Sequence, residues 1–301
     1  MGRIGFVFSG QGDQYPGMGK DLCEQYAPAR RVFEFCEKLR PGTMKQCFEG
    51  TEEELKETAN TQPCMFALEL AAAEVLDSMG ICAEAAAGFS LGEVAAATYA
   101  KAFSLGDGFR LVTRRGELMQ AEAEKHDTAM AAVLRLTEEQ VREICARHED
   151  IYPVNFNCPG QISVSGLAEK MPDFIADVKS CGGRALPLKV KGAFHSPYMQ
   201  HASDEFAKDL AQAGIYPPCI TLYSDVTAEP YGDAAELLAK QIASPVLWEK
   251  TVRNMIASGI DTFIEIGPGK TLINMIRKID PNVRTFSVSE MDTLLSEIDN
   301  A

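Results

Sequence analysis

The sequence has 301 residues, 46% of them hydrophobic and 24% charged, which is an ordinary globular composition with room for one large α/β domain or two smaller ones. The formal net charge of −14 at pH 7 argues against nucleic acid and anionic membrane surfaces, and we expect neither as a partner. The nine cysteines include no C-x-x-C pair, and there is neither a signal-like apolar start nor an apolar run of membrane-spanning length, so we expect a cytoplasmic protein with reduced thiols and no metal site.

The first third of the chain alternates short apolar runs with helical patterns. The loop after the first apolar run, Gly10-Gln11-Gly12, is not a dinucleotide fingerprint, because Tyr15 stands where the third glycine belongs. Its glycines still allow the backbone to approach a ligand closely. The predicted elements are, in order, a buried strand at 3–8, helices at 18–37, 52–60 and 64–79, a strand at 85–89, and helices at 93–101 and 109–122.

The stretch Gly88-Phe89-Ser90-Leu91-Gly92 lies between the strand at 85–89 and the helix that follows it. A G-x-S-x-G pentapeptide at such a junction is typical of a nucleophile elbow, in which glycines permit a sharp turn that lifts the serine oxygen into a cleft. The start of the helix adds free N–H groups and a dipole that favours negative charge. We therefore predict that Ser90 is a nucleophile; the alternative is a structural Gly-Ser-Gly turn.

The pattern of the chain changes at Thr128. From there a β-α-β-β-α-β order is predicted, which is that of a ferredoxin-like unit, and we expect it as a small lid domain inserted in the larger one. Thr137 is predicted to cap the first helix of this unit, with Gln140 at the capping-box position. The predicted elements are strands at 130–134, 151–156, 161–165 and 184–190 and helices at 137–148 and 168–181.

The last third of the chain begins with a loop at 191–199 and returns to strand and helix patterns. The stretch Gly267-Pro268-Gly269-Lys270-Thr271 looks like the end of a P-loop, but Ile264 stands where a Walker A motif needs glycine. We interpret it as a tight turn that ends the final strand. The predicted elements are helices at 200–214, 234–242 and 246–258 and strands at 220–224 and 261–266.

A nucleophilic serine needs a neighbouring base, and histidine is the usual one. His126 and His148 lie in charged, surface-like contexts, and His201 lies within a helix. His195 lies in a loop bounded by glycine and proline at the predicted domain junction, where catalytic residues tend to lie, and the sequence favours it modestly.

The positions of the histidines also separate classes of enzyme. An ordinary α/β-hydrolase places its histidine late in the chain, after the acidic member of the triad. Here His201 is the last histidine of the 301 residues, and no HGGG-type oxyanion motif precedes the elbow. An esterase or lipase is therefore disfavoured, and acyl transfer with an unusual layout remains.

An ordered set of short motifs runs along the chain. The motifs are Gly10-Gln11-Gly12, Thr61-Gln62-Pro63, the Ser90 elbow, Arg115-Gly116 with Met119-Gln120, Asn155-Phe156-Asn157 with Pro159-Gly160-Gln161, the His195 loop, Ser244-Pro245-Val246 with Trp248, and Gly267-Pro268-Gly269. Together they resemble those of malonyl-CoA:acyl carrier protein transacylases and of the related acyltransferase domains of polyketide synthases, over nearly the full length. The resemblance implies a large hydrolase-like α/β domain with a parallel sheet at 1–126 and 192–301, and an inserted ferredoxin-like subdomain at 127–191.

The resemblance also implies a set of roles in ping-pong acyl transfer. Ser90 would attack the malonyl thioester, and His195 would take its proton and then protonate the leaving thiol. The backbone N–H groups of Gln11 and Leu91 would form the oxyanion hole. Coenzyme A enters this scheme as the substrate thioester, and neither a bound cofactor nor a metal is implied.

Further residues are assigned to substrate binding by the same resemblance. Arg115 would hold the free malonyl carboxylate through two parallel hydrogen bonds, although its own stretch, taken alone, indicates a solvated helix surface. Gln62 and Asn155 would contact the substrate. Phe194 would crowd an α-methyl group, so malonyl is predicted over methylmalonyl.

Two positions depart from the pattern of the family. Phe89 stands where histidine is frequent, and no catalytic step obviously needs a histidine there. Leu247 stands where some members have glutamine. Because the family orients its catalytic histidine with a backbone carbonyl at this position, leucine is expected to suffice.

The expected partners are malonyl-CoA and an acyl carrier protein of fatty acid or polyketide synthesis, and we expect a monomer. Carrier proteins are typically acidic, so a basic patch at Arg184, Lys189 and Lys191 is a candidate for docking; the alternative is that these residues only solubilise an edge strand. Two other functions stay open. One is an acyl hydrolase of the same fold acting on carrier-protein thioesters, and the other is a non-catalytic module that binds the carrier protein.

Overall fold

The structure is a computed structural model that describes residues 2–188 and 190–299. Nine strands are described, in two separate sheets, with helices around them. The strands are β1 (Ile4–Phe8), β2 (Ala85–Gly88), β3 (Thr128–Leu134), β4 (Ile151–Cys158), β5 (Gln161–Leu167), β6 (Arg184–Pro187), β7 (Thr221–Leu222), β8 (Thr262–Ile266) and β9 (Arg284–Ser287). The helices are α1 (Lys20–Gln25), α2 (Ala27–Leu39), α3 (Thr43–Glu49), α4 (Glu52–Lys56), α5 (Thr58–Ser78), α6 (Leu91–Tyr99), α7 (Leu105–Ala123), α8 (Glu138–Cys145), α9 (Met171–Ser180), α10 (Gln200–Leu210), α11 (Ala234–Gln241), α12 (Trp248–Ala257), α13 (Thr271–Ile279) and α14 (Met291–Asp299).

The larger sheet is parallel, with strand order β7-β2-β1-β8-β9. All five residues of β1 and all five of β8 are buried, as expected for the centre of a parallel sheet covered on both faces. Phe8 lies opposite both Gly88 and Ile266, so β1, β2 and β8 end level with one another. The loops that follow these strands therefore meet at one edge of the sheet, which is where open α/β sheets place their ligands.

The smaller sheet is antiparallel, with strand order β4-β5-β3-β6. Helices α8 and α9 contact each other and pack with the sheet around a separate apolar core that includes Val133, Val164 and Phe174. Two backbone hydrogen bonds join β4 of this sheet to Val246 in the larger part of the chain. Phe156 N–H donates to the Val246 carbonyl at 2.9 Å, and Val246 N–H donates to the Val154 carbonyl at 2.8 Å. They hold β4 beside the edge of the parallel sheet at which the loops meet.

Helix α5 begins earlier than predicted. The prediction placed Thr61-Gln62-Pro63 before a helix at 64–79, whereas α5 starts at Thr58 and contains Pro63. Contacts from α7 support this first turn, because Ala59 N–H donates to Gln120 Oε1 at 3.0 Å. Gly116 of α7 has no room for a side chain there, since a Cβ would lie 2.9 Å from the Thr58 carbonyl oxygen. The two helices thus cross closely, which brings neighbouring side chains of α5 and α7 together.

Other element boundaries differ from the predictions for local reasons. The predicted helix at 18–37 is two helices, separated at Tyr26, whose backbone is extended (φ −119°, ψ 119°). The strand at 261–266 is not the final one, because β9 pairs with β8 as a further edge strand with little apolar signal of its own. The capping box at Thr137 and Gln140 is confirmed. In the part of the chain that the structure describes, no helix is long and apolar enough to cross a membrane.

Candidate active site

Ser90 lies in a tight turn between β2 and α6, as the pentapeptide predicts. Its backbone adopts φ 55° and ψ −108°, a conformation that ordinary residues rarely adopt. The flanking glycines are required by space, because a Cβ on Gly88 would lie 2.0 Å from the carbonyl carbon of Gly92, and one on Gly92 would lie 2.3 Å from the Phe8 oxygen. The turn therefore packs against the end of β1 and presents the Ser90 side chain at the edge of the sheet.

His195 is the histidine that the fold brings to Ser90. The Ser90 Oγ to His195 Nε2 distance is 2.7 Å, and His195 Nδ1 lies 2.9 Å from the Gln241 carbonyl oxygen. Since a carbonyl only accepts hydrogen bonds, Nδ1 carries the proton and Nε2 is free to accept from the Ser90 hydroxyl. This is the arrangement of a nucleophile with its general base.

The protonation state of His195 suits that role. The side chain is buried, and burial, followed by the charge of Arg115, lowers the pKa of His195 to about 4. Desolvation disfavours the charged imidazolium, and a neighbouring cation repels it. The imidazole is therefore neutral at pH 7 and able to take a proton from Ser90 Oγ.

Arg115 is fully buried beside Ser90. Its Nη2 donates to Ser90 Oγ at 3.2 Å and to Gln241 Oε1 at 2.6 Å, and its Nη1 donates to Gln62 Oε1 at 2.9 Å. Its Nε has no hydrogen-bond partner among the described residues. Burial lowers the pKa of Arg115 to about 10, so the guanidinium stays charged at neutral pH. The interpretation of Arg115 as a solvated surface residue is wrong.

The neighbouring Arg114 shows why the local pattern misleads. Arg114 is on the outer side of α7, where it is half exposed and pairs with Asp209 and Glu117. Arg115 points inward because Gly116 lets α7 approach the first turn of α5. The sequence around the two arginines carries no sign of this difference.

Gln241, at the end of α11, is a site residue that the sequence analysis missed. Its carbonyl orients His195, its Oε1 accepts from Arg115, and its Nε2 donates to the Ser90 carbonyl at 2.6 Å. The expectation that the carbonyl at Leu247 orients the histidine is wrong, because the Leu247 carbonyl accepts from Thr251 instead. A glutamine in a helix has no sequence signal that marks it as buried and functional.

Gln11 and Leu91, the predicted oxyanion-hole residues, both line the cavity in front of Ser90. Leu91 is the first residue of α6, where backbone N–H groups have no helical acceptor. Neither the Gln11 nor the Leu91 N–H has an acceptor among the described residues. The Ser90 N–H, by contrast, is occupied, since it donates to Asp225 Oδ2 at 2.7 Å.

The cavity in front of Ser90 has a volume of about 270 Å³ and lies between the two sheets. Phe194, Gln62 and Asn155 all line it, as do Ser90 and His195. The Asn155 Oδ1 atom is buried and has no partner in the described structure. The cavity thus combines a largely apolar wall with a few unsatisfied polar atoms, as small-molecule sites do.

Phe89, which the sequence left unexplained, has a packing role. Its ring meets the Trp248 indole edge to face, with centroids 5.6 Å apart, and it contacts Gly10 closely enough that a Cβ there would lie 2.7 Å from the ring. Phe89 also forms part of the cavity wall. It therefore fixes the loop that carries Gln11 against the elbow.

The remaining predicted candidates lie elsewhere or outside the described residues. His148, in the turn that follows α8, pairs with Asp177 of α9 at 2.9 Å, and His201 is exposed beside Glu122. Of the predicted basic patch, Arg184 and Lys191 are exposed, and Lys189 lies outside the described residues. Within residues 2–188 and 190–299, no group of three His, Cys, Asp or Glu side chains is placed to hold a metal ion.

Comparison with known proteins gives consistent matches over nearly the whole chain. The family model described as the acyl transferase domain matches residues 5–290. A relative from Bacillus subtilis (strain 168), named malonyl CoA-acyl carrier protein transacylase, is 36% identical over 303 residues, which cover 98% of this chain and 96% of the relative.

Two solved structures are similar to this chain at the level of the whole fold. A crystal structure of malonyl CoA-acyl carrier protein transacylase from Clostridium perfringens has a TM-score of 0.96 and 34% identity, and the match covers 99% of this chain and 98% of that one. A malonyl-transacylase solved in complex with its type II PKS acyl-carrier protein has a TM-score of 0.95 and 29% identity, with 99% and 100% covered.

Proposed function

The chain belongs to the acyl transferase domain family, and on this premise we propose that it transfers the malonyl group of malonyl-CoA to the phosphopantetheine thiol of an acyl carrier protein. The observation that carries the proposal is the buried Arg115 guanidinium, 3.2 Å from the oxygen of the nucleophile Ser90. A fixed cation beside the attacking atom suits an acyl group that has a free carboxylate at its far end.

In the first half-reaction, His195 Nε2 takes the hydroxyl proton of Ser90 as Oγ attacks the thioester carbonyl carbon. The negative charge that develops on the carbonyl oxygen is stabilised by the N–H groups of Gln11 and Leu91. When the C–S bond breaks, His195 returns the proton to the coenzyme A thiolate. Malonyl-Ser90 remains, and free coenzyme A leaves.

The second half-reaction runs the same steps with a different thiol. His195 takes the proton of the phosphopantetheine thiol, and the sulfur attacks the malonyl-Ser90 ester. The same N–H groups hold the oxyanion, and the Ser90 oxygen leaves with the proton that His195 returns to it. Malonyl transfer thus needs one base, one oxyanion hole and no resident cofactor, and coenzyme A takes part as a substrate.

Arg115 holds the malonyl carboxylate during both steps. Its Nε–H has no partner among the described residues, and the hydrogen that Nη2 gives to Ser90 Oγ is released for the carboxylate once Oγ is acylated. Gln62 and Gln241 fix the plane of the guanidinium, so that its donors are already oriented when the substrate arrives. Asn155 Oδ1, which is buried and has no partner among the described residues, is proposed to accept a hydrogen bond from an amide N–H of the substrate's pantetheine arm.

We also propose a division of the chain into two domains, an oligomeric state and a cellular location. Residues 1–126 and 192–301 are assigned to a hydrolase-like domain, which the elbow after β2 supports. Residues 127–191 are assigned to a ferredoxin-like subdomain, supported by the antiparallel order β4-β5-β3-β6 with α8 and α9 on one face. The protein is proposed to act as a cytoplasmic monomer, without nucleic acid or membrane partners.

The proposal is tested by mass spectrometry after mixing the protein with malonyl-CoA and a holo acyl carrier protein. Malonylated carrier protein is expected, with little free malonate. Free malonate without malonylated carrier would instead identify an acyl hydrolase, and absence of both products would favour a non-catalytic module that binds the carrier protein.

The rate of Ser90 acylation by malonyl-CoA is expected to be nearly constant from about pH 5.5 to 8 and to fall only toward pH 4, because His195 has a pKa of about 4 and stays neutral above it. This pKa lies below the usual value of histidine, so the contribution of His195 to stability is lost as the pH falls from about 6.5 toward 4, and circular dichroism must verify the fold at each pH. Rapid-quench measurements give the rate. A decline centred near pH 6.5 would contradict the neutral, buried base.

Phe194 is expected to set the preference for malonyl over methylmalonyl. Its ring is fixed in the cavity wall by contact with Gly192, where a Cβ would lie 2.9 Å from the ring. Phe194→Ala removes this wall and is expected to reduce the ratio of kcat/KM for malonyl-CoA over methylmalonyl-CoA by about tenfold, since one methyl group in a pocket is worth about 1–3 kcal/mol. Equal kcat/KM values in the wild type, or an unchanged ratio in the variant, would contradict the assignment.

A further inference from the structure

Asp225 is a buried carboxyl group in the segment between β7 and α11, a few residues after the end of β7. Its backbone is fixed on both sides. The Asp225 N–H donates to Glu93 Oε1 at 3.1 Å, and its carbonyl accepts from the Leu247 N–H at 2.8 Å. The side chain is thereby held under the elbow that carries Ser90.

A single oxygen of this side chain accepts two hydrogen bonds. Asp225 Oδ2 accepts the Ser90 N–H at 2.7 Å and Gln241 Nε2 at 3.1 Å. The first partner is the backbone of the nucleophile, whose φ of 55° costs on the order of 1 kcal/mol or more unless neighbouring groups impose it. The second partner is the residue whose carbonyl orients His195.

We propose that Asp225 is a positioning residue that fixes the distance between Ser90 and His195 by accepting hydrogen bonds from the backbone of one and from the orienting residue of the other. This inference rests on the proposed function, because the effect of Asp225 is measured on the acylation of Ser90 by malonyl-CoA. The two hydrogen bonds of the side chain reach neither Ser90 Oγ nor the His195 ring, so Asp225 acts only through Ser90 and Gln241. Because the Ser90 N–H donates to Asp225 Oδ2, the N–H groups that remain for the oxyanion are those of Gln11 and Leu91.

The role requires a hydrogen-bond acceptor at the position of Oδ2, but it does not require a negative charge there. Burial and the neighbouring Glu93 raise the pKa of Asp225 well above its usual value, because a second buried carboxylate beside Glu93 is disfavoured. Asp225 Oδ1 has no partner among the described residues. Asparagine has nearly the same shape and can place its oxygen at Oδ2, so it is expected to replace aspartate.

The test compares Asp225→Ala with Asp225→Asn in the full chain. Single-turnover acylation of Ser90 by malonyl-CoA is expected to slow about 10²-fold in Asp225→Ala, with KM little changed, because the nucleophile is misplaced while Arg115 is intact. Asp225→Asn is expected to acylate within about fivefold of the wild type, since the acceptor is retained. A wild-type rate in Asp225→Ala, or equal losses in both variants, would overturn the proposal.

Tyr231→Phe is the matched control. The Tyr231 hydroxyl donates a hydrogen bond to Glu93 in the same buried network. Tyr231→Phe removes this hydrogen bond and leaves both hydrogen bonds of the Asp225 side chain in place. Thermal melting is expected to show that Tyr231→Phe is less stable than the wild type, whereas its rate of Ser90 acylation should stay within about threefold of the wild-type rate. A decrease in the acylation rate as large as that of Asp225→Ala would mean that any damage to the network slows the reaction. The proposal of a specific positioning role for Asp225 would then be wrong.

Amide hydrogen exchange gives a second measurement that needs neither a variant nor a substrate. The Ser90 N–H is expected to be strongly protected by Asp225, while the adjacent Leu91 N–H, which has no acceptor in the described part of the chain, is expected to exchange fast. Equal exchange of the two amides would overturn the positioning role. If the wild type never gains a malonyl group, the proposed function fails, and exchange still decides the role of Asp225.

Discussion

His195→Ala is expected to slow the formation of malonyl-Ser90 by about 10³-fold, because Ser90 loses the only imidazole within hydrogen-bond distance of its oxygen among the described residues. Binding of malonyl-CoA should change little, since Arg115 and Gln62 keep their mutual contact. The loss is therefore expected in the acylation rate constant and not in the dissociation constant.

Rapid-quench mass spectrometry of the acylated protein measures this loss. His201→Ala is the matched control, because His201 is exposed on α10 and its side chain lies beside Glu122 instead of Ser90. That control should acylate at the wild-type rate. Acylation of His195→Ala within a few fold of the wild type would show that another group takes the proton, and the assignment of the base would be wrong.

Arg115→Ala is expected to reduce kcat/KM for malonyl-CoA by about 10²–10³-fold, because the variant leaves the malonyl carboxylate buried without a cation. Turnover of acetyl-CoA, whose acyl group has no carboxylate, should fall far less. The change is thus a loss of selectivity for the carboxylate, which a general loss of folding would not produce.

Two further variants make this prediction specific. Arg115→Lys keeps the charge but cannot form two parallel hydrogen bonds, and it is expected to recover only part of the malonyl activity. Arg114→Ala removes the adjacent, half-exposed arginine and is expected to leave the turnover of malonyl-CoA and of acetyl-CoA unchanged. Equal losses for malonyl-CoA and acetyl-CoA in Arg115→Ala would contradict a role in holding the carboxylate.

The parts of this site that could be predicted from the sequence are those with a local cause. Gly88 and Gly92 are needed because the turn at Ser90 has no room for side chains, and that requirement is visible in the pentapeptide itself. The capping box at Thr137 and Gln140 is local in the same way. His195 was favoured by its loop, but its contact with Ser90 joins positions 105 residues apart and needs the fold.

The parts that could not be predicted depend on packing between distant elements. Arg115 and Arg114 are alike in sequence context, and only the close crossing of α5 and α7 at Gly116 decides which one is buried. Gln241 reaches Arg115 across 126 positions of the chain, and nothing in the sequence of α11 marks it. Asp225 likewise follows a two-residue strand and reaches Ser90 across 135 positions.

The central claim is that Ser90 carries the malonyl group between two thiols. Its most direct test is peptide mapping by mass spectrometry of protein mixed with malonyl-CoA, first without and then with a holo acyl carrier protein. The account predicts a malonyl ester on Ser90 in the first step, which disappears in the second as the carrier thiol gains the group, and no ester in Ser90→Ala. A malonylated carrier protein formed by Ser90→Ala, or a wild-type protein that never gains the ester, would contradict it.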